Sequence, residues 1–174
     1  MLINTLFAVS CIFILAGCTT PLNVATDGAT FATAVRIPND DVKFISYCDF
    51  GEGREWADDI GLIRGIIAIT TNAVYLSAGG LNDAFQQREI VIFFKDMNGI
   101  DLKHFGLGRQ VQFKTADHVV VVQVTRNRQT IDREASEEVY RLIKEHGVAE
   151  WESRKFYIQK PAPVYVMPMP VPVR

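Results

Sequence analysis

Cysteine is scarce: Cys11, Cys18 and Cys48 are the only three in 174 residues. That is too few for a disulfide scaffold, which small secreted domains build from several bridges. A basic surplus is missing too. Eighteen Lys and Arg against twenty Asp and Glu leave a formal charge of −2. Nonspecific nucleic-acid binding needs a positive excess, so nucleic acid is excluded as a partner. No apolar run reaches the roughly 20 residues that carry a helix across a bilayer.

Signatures of catalysis are equally thin. His104, His118 and His146 stand alone, with no HxH or HExxH spacing, and no GxSxG occurs. They read as surface histidines, because metal sites need clustered ligands. Gly51-Glu52-Gly53 and Gly106-Leu107-Gly108 lack the third glycine and the strand–helix context of a dinucleotide loop, so both read as turns. Asp40-Asp41 and Asp58-Asp59 are neighbours in loops, whereas hydrolytic carboxylate pairs face each other across a cleft. No catalytic residue, metal or cofactor is expected.

What the chain does have is ordinary globular composition, 48% apolar and 22% charged. Its length suits one domain with a leader and a tail. The leader covers 1–17. Leu6 to Leu15 reads LFAVSCIFIL, and no charge occurs before Asp27. Such a run has the length of a signal-peptide core, about 7–15 residues, and small residues follow it.

Leu15-Ala16-Gly17-Cys18 resembles the lipobox of bacterial lipoproteins: a Leu, two small residues and a Cys directly after an apolar core. The chain departs from such leaders in having no Lys or Arg in Met1–Thr5. The resemblance implies that the Cys18 thiol receives a diacylglyceryl group, that the leader is cut before it, and that the new amino terminus is acylated. Two or three acyl chains anchor durably where one binds reversibly, at about 0.8 kcal/mol per buried methylene. Thr19, in a place where Asp marks retention at the inner membrane in the enterobacterial pattern, favours the outer membrane. The domain would face the periplasm, with Cys48 as its one free thiol. That residue sits in the apolar VKFISYC and is expected to be buried.

Residues 18–41 read as a flexible tether, rich in Thr, Ala, Asn and Gly and without sustained period. A single domain is expected over 42–158, beginning with the apolar stretch Val42–Tyr47. CDFGEGREWADD, residues 48–59, reads as a loop with a short helical turn near Trp56. From Ile60 the pattern is β. Gly65–Thr70 and Ala73–Ser77 flank a Thr71-Asn72 turn. Arg88–Phe94, Ile100–Phe105, Arg109–Thr115 and Val119–Thr125 follow as strands, with Asn98-Gly99 and Asp117-His118 as turns. Clean alternation over Arg109–Thr115 places Val111 and Phe113 on one face and Gln110, Gln112 and Lys114 on the other. Lys95, Lys103, Arg109 and Lys114 read as solvent-facing strand residues. Strands apolar on both faces need a cover, and residues 132–146 are expected to supply it. Asp132 caps this helix, Gly147 stops it, and Ala135, Val139, Leu142 and Ile143 form one stripe.

The expected fold class is α+β: an antiparallel meander or partly open barrel closed by one C-terminal amphipathic helix. This order is similar to the pleckstrin-homology-like fold. The pattern GxxxxTxxxxYLS over Gly65–Ser77 resembles the opening hairpin of bacterial PH or GRAM-type domains. The resemblance spans about 60–147 and implies a binding scaffold. The uncharged Thr71-Asn72 lacks the family's basic phosphoinositide motif, so headgroup recognition does not carry over.

The tail, 159–174, reads PAPVYVMPMPVPVR from Pro161. Closely spaced prolines remove amide donors and fix φ, which predicts extended polyproline-like chain. Pro161, Tyr165, Met167 and Met169 are its candidate partner-binding residues. The leading reading is a noncatalytic, membrane-anchored lipoprotein that binds other envelope proteins. The second is a small-ligand or lipid-binding module using the mouth of the β domain.

Overall fold

The computed structural model describes residues 21–38, 41–55, 57, 59–79 and 89–157. Helix α1 (Asp27–Val35) leads. Strands β1 (Phe44–Gly53), β2 (Ile63–Ile69), β3 (Ala73–Ala78) and β4 (Glu89–Phe93) follow. Strands β5 (Gly99–Phe105), β6 (Gly108–Lys114), β7 (Val119–Thr125) and helix α2 (Arg133–Glu145) complete the order.

The strands form one antiparallel sheet in the order β4-β3-β2-β1-β7-β6-β5. The fold is α+β as expected, and the sheet is open: β4 and β5 are its two edges. Long β1 joins the halves. Phe44–Phe50 pair with β2, and Tyr47–Gly53 pair with β7. The chain therefore makes two meanders. Asn98-Gly99 lies in the crossover from edge β4 to edge β5, and no hairpin forms there.

Local chemistry explains the hairpins. Around Thr71-Asn72, Thr70 N–H donates to the Ala73 carbonyl at 2.9 Å, and the Thr70 hydroxyl accepts from Ala73 N–H at 3.1 Å. Gly106-Leu107 turns β5 into β6 with Gly106 at φ +55°, a conformation that favours glycine. The β2–β3 hairpin is the second of the sheet, since β1 precedes it; the resemblance had placed it as the opening one.

Residues 48–53, expected in a loop, are strand. Two acids and two glycines disguise them, and the glycines are there for close approach. A Cβ on Gly51 would lie 2.4 Å from the Gly61 carbonyl oxygen. On Gly65, directly across the ladder from Cys48, it would lie 2.1 Å from the Ser77 oxygen. Trp56 lies outside the described residues.

Helix α2 matches its expected bounds within a residue. The Asp132 carboxylate accepts from Ala135 N–H at 3.1 Å, and Gly147 closes the helix at φ +81°. Val139 and Ile143 are fully buried against a core of Phe50, Ile67, Leu76, Ile100, Phe113 and Val122. Cys48 joins this core and is buried as expected.

Two further layers cover the opposite face of the sheet. Residues 27–35, expected within a flexible tether, form α1. Phe31 and Ala32 are fully buried over Ile45, Tyr47, Ile66 and Ala68, and Leu22 packs at the border. The tether reading fails because tertiary burial orders a segment whose own periodicity is weak. Residues 149–157 form the other layer, an extended strap over β5 and β6. Apolar contacts of Tyr157 with Ile60, Leu62, Val119 and Val121 anchor its end.

Candidate interaction surface

Between its backbone bridge to β5 and its apolar anchor at Tyr157, the strap is held by polar side chains of β5 and β6. It starts as a parallel bridge: Ile100 N–H donates to the Ala149 carbonyl at 3.0 Å, and Trp151 N–H to the Ile100 carbonyl at 2.9 Å. Asp101 accepts from Ser153 N–H at 2.9 Å and from its hydroxyl. Lys103 Nζ donates to the Ser153 carbonyl at 2.6 Å.

Gln110 and Gln112, on the face opposite Val111 and Phe113, are 0% and 1% exposed. The Gln110 side-chain amide takes both backbone groups of Tyr157: its Oε1 accepts from Tyr157 N–H at 2.9 Å, and its Nε2 donates to the Tyr157 carbonyl. Gln112 Nε2 donates to the Lys155 carbonyl at 2.9 Å. One amide thus imitates the pairing of a neighbouring strand. A signal for this was present in sequence: neighbouring VVVV in β7 requires a covered outer face, and any polar residue there needs partners.

The four basic candidates are dispersed among local partners. Lys114 reaches Glu55 at 2.9 Å and lies over the Trp151 ring at 5.2 Å. Arg109 faces Glu137 at 3.9 Å, and Lys95 lies over Phe93 at 5.6 Å. Lys103 and Lys114 are half-buried by the strap instead of facing solvent freely.

Two clefts flank the strap. One, of about 220 Å³, is lined by Arg54, Glu55, Lys114, Asp117 and His118. Its Glu55 is shared by Lys114 and, at 4.0 Å, Arg154. The other, of about 230 Å³, holds Asp101, Tyr140, Glu150 and Glu152. There the Tyr140 hydroxyl donates to Glu150 at 3.2 Å, and Lys144 reaches the same oxygen at 3.1 Å. Burial, then the Glu150 hydrogen bond, push the Tyr140 phenol up; Lys144 holds Glu150 low. These contacts clasp α2 to the strap. They place no nucleophile beside a base, and among the described residues no three His, Cys, Asp or Glu are grouped to hold a metal. Burial, reinforced by Asp49, pushes the Cys48 thiol well up, which keeps it protonated and inert.

Exposed apolar side chains gather beside the strap's end. Phe105 is 61% and Leu107 75% exposed at the β5–β6 tip, and Phe156 of the strap lies 5.5 Å from the Phe105 ring. The chain then passes Tyr157 toward the proline-rich tail. Cys18, Pro161, Tyr165, Met167 and Met169 all lie outside the described residues.

No protein-family signature matches the chain, and no curated protein matches it. Among solved structures it is similar to a crystal structure of the C-terminal domain of an unknown protein from Leishmania infantum. The two share 10% identity at a TM-score of 0.39, over 67% of this chain and 89% of that one.

Proposed function

We propose that the chain is a noncatalytic bacterial envelope lipoprotein that binds other envelope proteins. Acyl groups on Cys18 anchor it to the outer membrane, and its domain faces the periplasm. The lipobox supports the anchor. The sheet order, with β1 shared between two meanders and α2 last, supports a PH-like scaffold. The clefts support a noncatalytic role, since Glu55, Lys114, Asp101, Tyr140 and Glu150 in them are engaged with one another, with α2 or with the strap.

The observation that carries the binding role is the strap. Gln110, Gln112, Asp101 and Lys103 are committed to fixing 149–157, the residues that precede the apolar tail in sequence. Phe156 there lies beside exposed Phe105. A polyproline-like segment docks with little entropy loss, because its conformation is already restricted.

Crosslinking in intact cells, followed by detergent extraction, tests this reading. A stoichiometric protein partner should be captured by the full chain and lost on deleting Pro161–Arg174. A monomer that carries a bound lipid in native mass spectrometry, with no protein crosslink, would instead indicate the small-ligand module.

A further inference from the structure

We infer that the outward face of α1 lies against the bilayer that holds Cys18, so that the domain is oriented on the membrane instead of swinging from a tether. The inference rests on the acylation of Cys18 proposed above, and three observations carry it.

The leash is short. Leu22 already packs against the core under α1, and the Asn23 carbonyl accepts from Asp27 N–H at 2.8 Å. Only Thr19, Thr20 and Pro21 separate Cys18 from Leu22. Four residue steps reach about 14 Å when fully extended. Leu22 is therefore held within about 14 Å of the anchor, close enough for helix α1, nine residues and about 13 Å long, to lie along the headgroups.

The face carries little charge. Between Pro21 and Ile37 the only charged residues are Asp27 and Arg36. Asp27 is occupied at the helix start, where it accepts from Asn23 N–H at 2.6 Å. From Leu22 to Val35 the exposed residues are Asn23, Val24, Ala25, Thr26, Thr30, Thr33 and Ala34, with Val24 41% exposed, and Arg36 at the C-cap is the one exposed charge. A solvated surface helix of a globular domain ordinarily carries its charges on that side.

The hydroxyls of Thr30 and Thr33 are also satisfied internally. Thr30 donates to the Thr26 carbonyl at 3.1 Å, and Thr33 to the Ala29 carbonyl at 2.9 Å. Residues that bond back to their own helix turn methyl groups outward and leave little to desolvate. Such a surface suits the boundary between headgroups and acyl chains. With Arg36 at its end as the one exposed charge, it does not depend on anionic lipid.

The test uses the acylated full chain in vesicles of phosphatidylethanolamine with a minor fraction of phosphatidylglycerol. A fluorophore on Thr33→Cys, two turns along α1, is compared with one on Glu145→Cys of α2, across the sheet. Headgroup-bound nitroxide should quench Thr33→Cys several-fold more than Glu145→Cys, and removing the phosphatidylglycerol should leave that ratio unchanged. A Gly-Ser spacer of about ten residues after Thr20 adds about 17 Å of free chain and should bring the two labels level. Equal quenching without the spacer, on protein whose mass confirms the acyl groups, would overturn the orientation and leave the anchor standing. Shielding of Thr33→Cys in extracted envelopes but not on vesicles would assign the face to a protein and also overturn it. An unacylated Cys18 would remove the anchor and this inference together.

Discussion

Replacing Phe31 with alanine tests whether 27–35 is part of the folded domain. The ring is fully buried among Ile45, Ile66 and Ala68, and meets Tyr75 edge-on with centroids 5.7 Å apart. Truncating a buried Phe in a rigid core costs about 3–5 kcal/mol. Roughly 0.5–1.5 kcal/mol of that comes from the edge-to-face pair. A nine-residue helix is unstable on its own, so once undocked α1 melts, and the global loss stops at its docking free energy. Equilibrium urea unfolding reads the result. With a slope of about 1–3 kcal/mol/M, the midpoint should fall by about 1 M or more. Native-state trypsin cleavage after Arg36 should accelerate in parallel. A stability loss under about 1 kcal/mol, together with unchanged cleavage, would refute the packing of α1, since it falls below any buried-Phe deletion.

Three other perturbations have defined outcomes. Gln110→Ala leaves both backbone groups of Tyr157 unpaired; a stability loss of about 1–3 kcal/mol and faster trypsin cleavage at Arg154 and Lys155 are expected, and a silent substitution would deny the strap its clasp. Asp132→Ala removes the α2 cap and should cost about 1 kcal/mol by thermal unfolding, with Asp132→Ser recovering most of it. Cys48, raised by burial, stays protonated in the folded state while the unfolded thiol ionises from about pH 8.5. Its contribution is thus complete below that pH and lost above it, so the wild type should weaken relative to Cys48→Ala as pH climbs from 8.5 toward 10. A pH-independent difference between the two would contradict the burial of the thiol.

The elements legible in sequence are those whose signals are local. The turn at Thr71-Asn72 lies between two β-prone runs, and Asp132, Lys144 and Gly147 bracket α2, so a few neighbouring residues decide each. Helix α1 was hidden for the opposite reason. Its Thr and Ala residues carry no strong stripe, and Phe31 becomes informative only against β1 and β2. The second half of β1 was hidden by Asp49, Gly51, Glu52 and Gly53, although Gly51 is demanded by the approach of Gly61. Alternation puts Gln110 and Gln112 on the face opposite Val111 and Phe113, and reports nothing about whether that face is covered. Their cover arrives from residues more than forty positions away. A short element over 148–158 carrying Trp151, Phe156 and Tyr157 is legible in sequence; its fixing as a strap by Asp101, Lys103, Gln110 and Gln112 is not, because those partners are distant along the chain.

The account stands most directly on the intact mass of the protein isolated from bacterial membranes. It predicts a chain that begins at Cys18, lacks residues 1–17, and exceeds the bare 18–174 polypeptide by a diacylglyceryl group and an amide-linked acyl chain, with Cys18→Ala retained as full-length precursor. A wild-type chain that keeps Met1, or one that begins elsewhere with an unmodified Cys18, would contradict it.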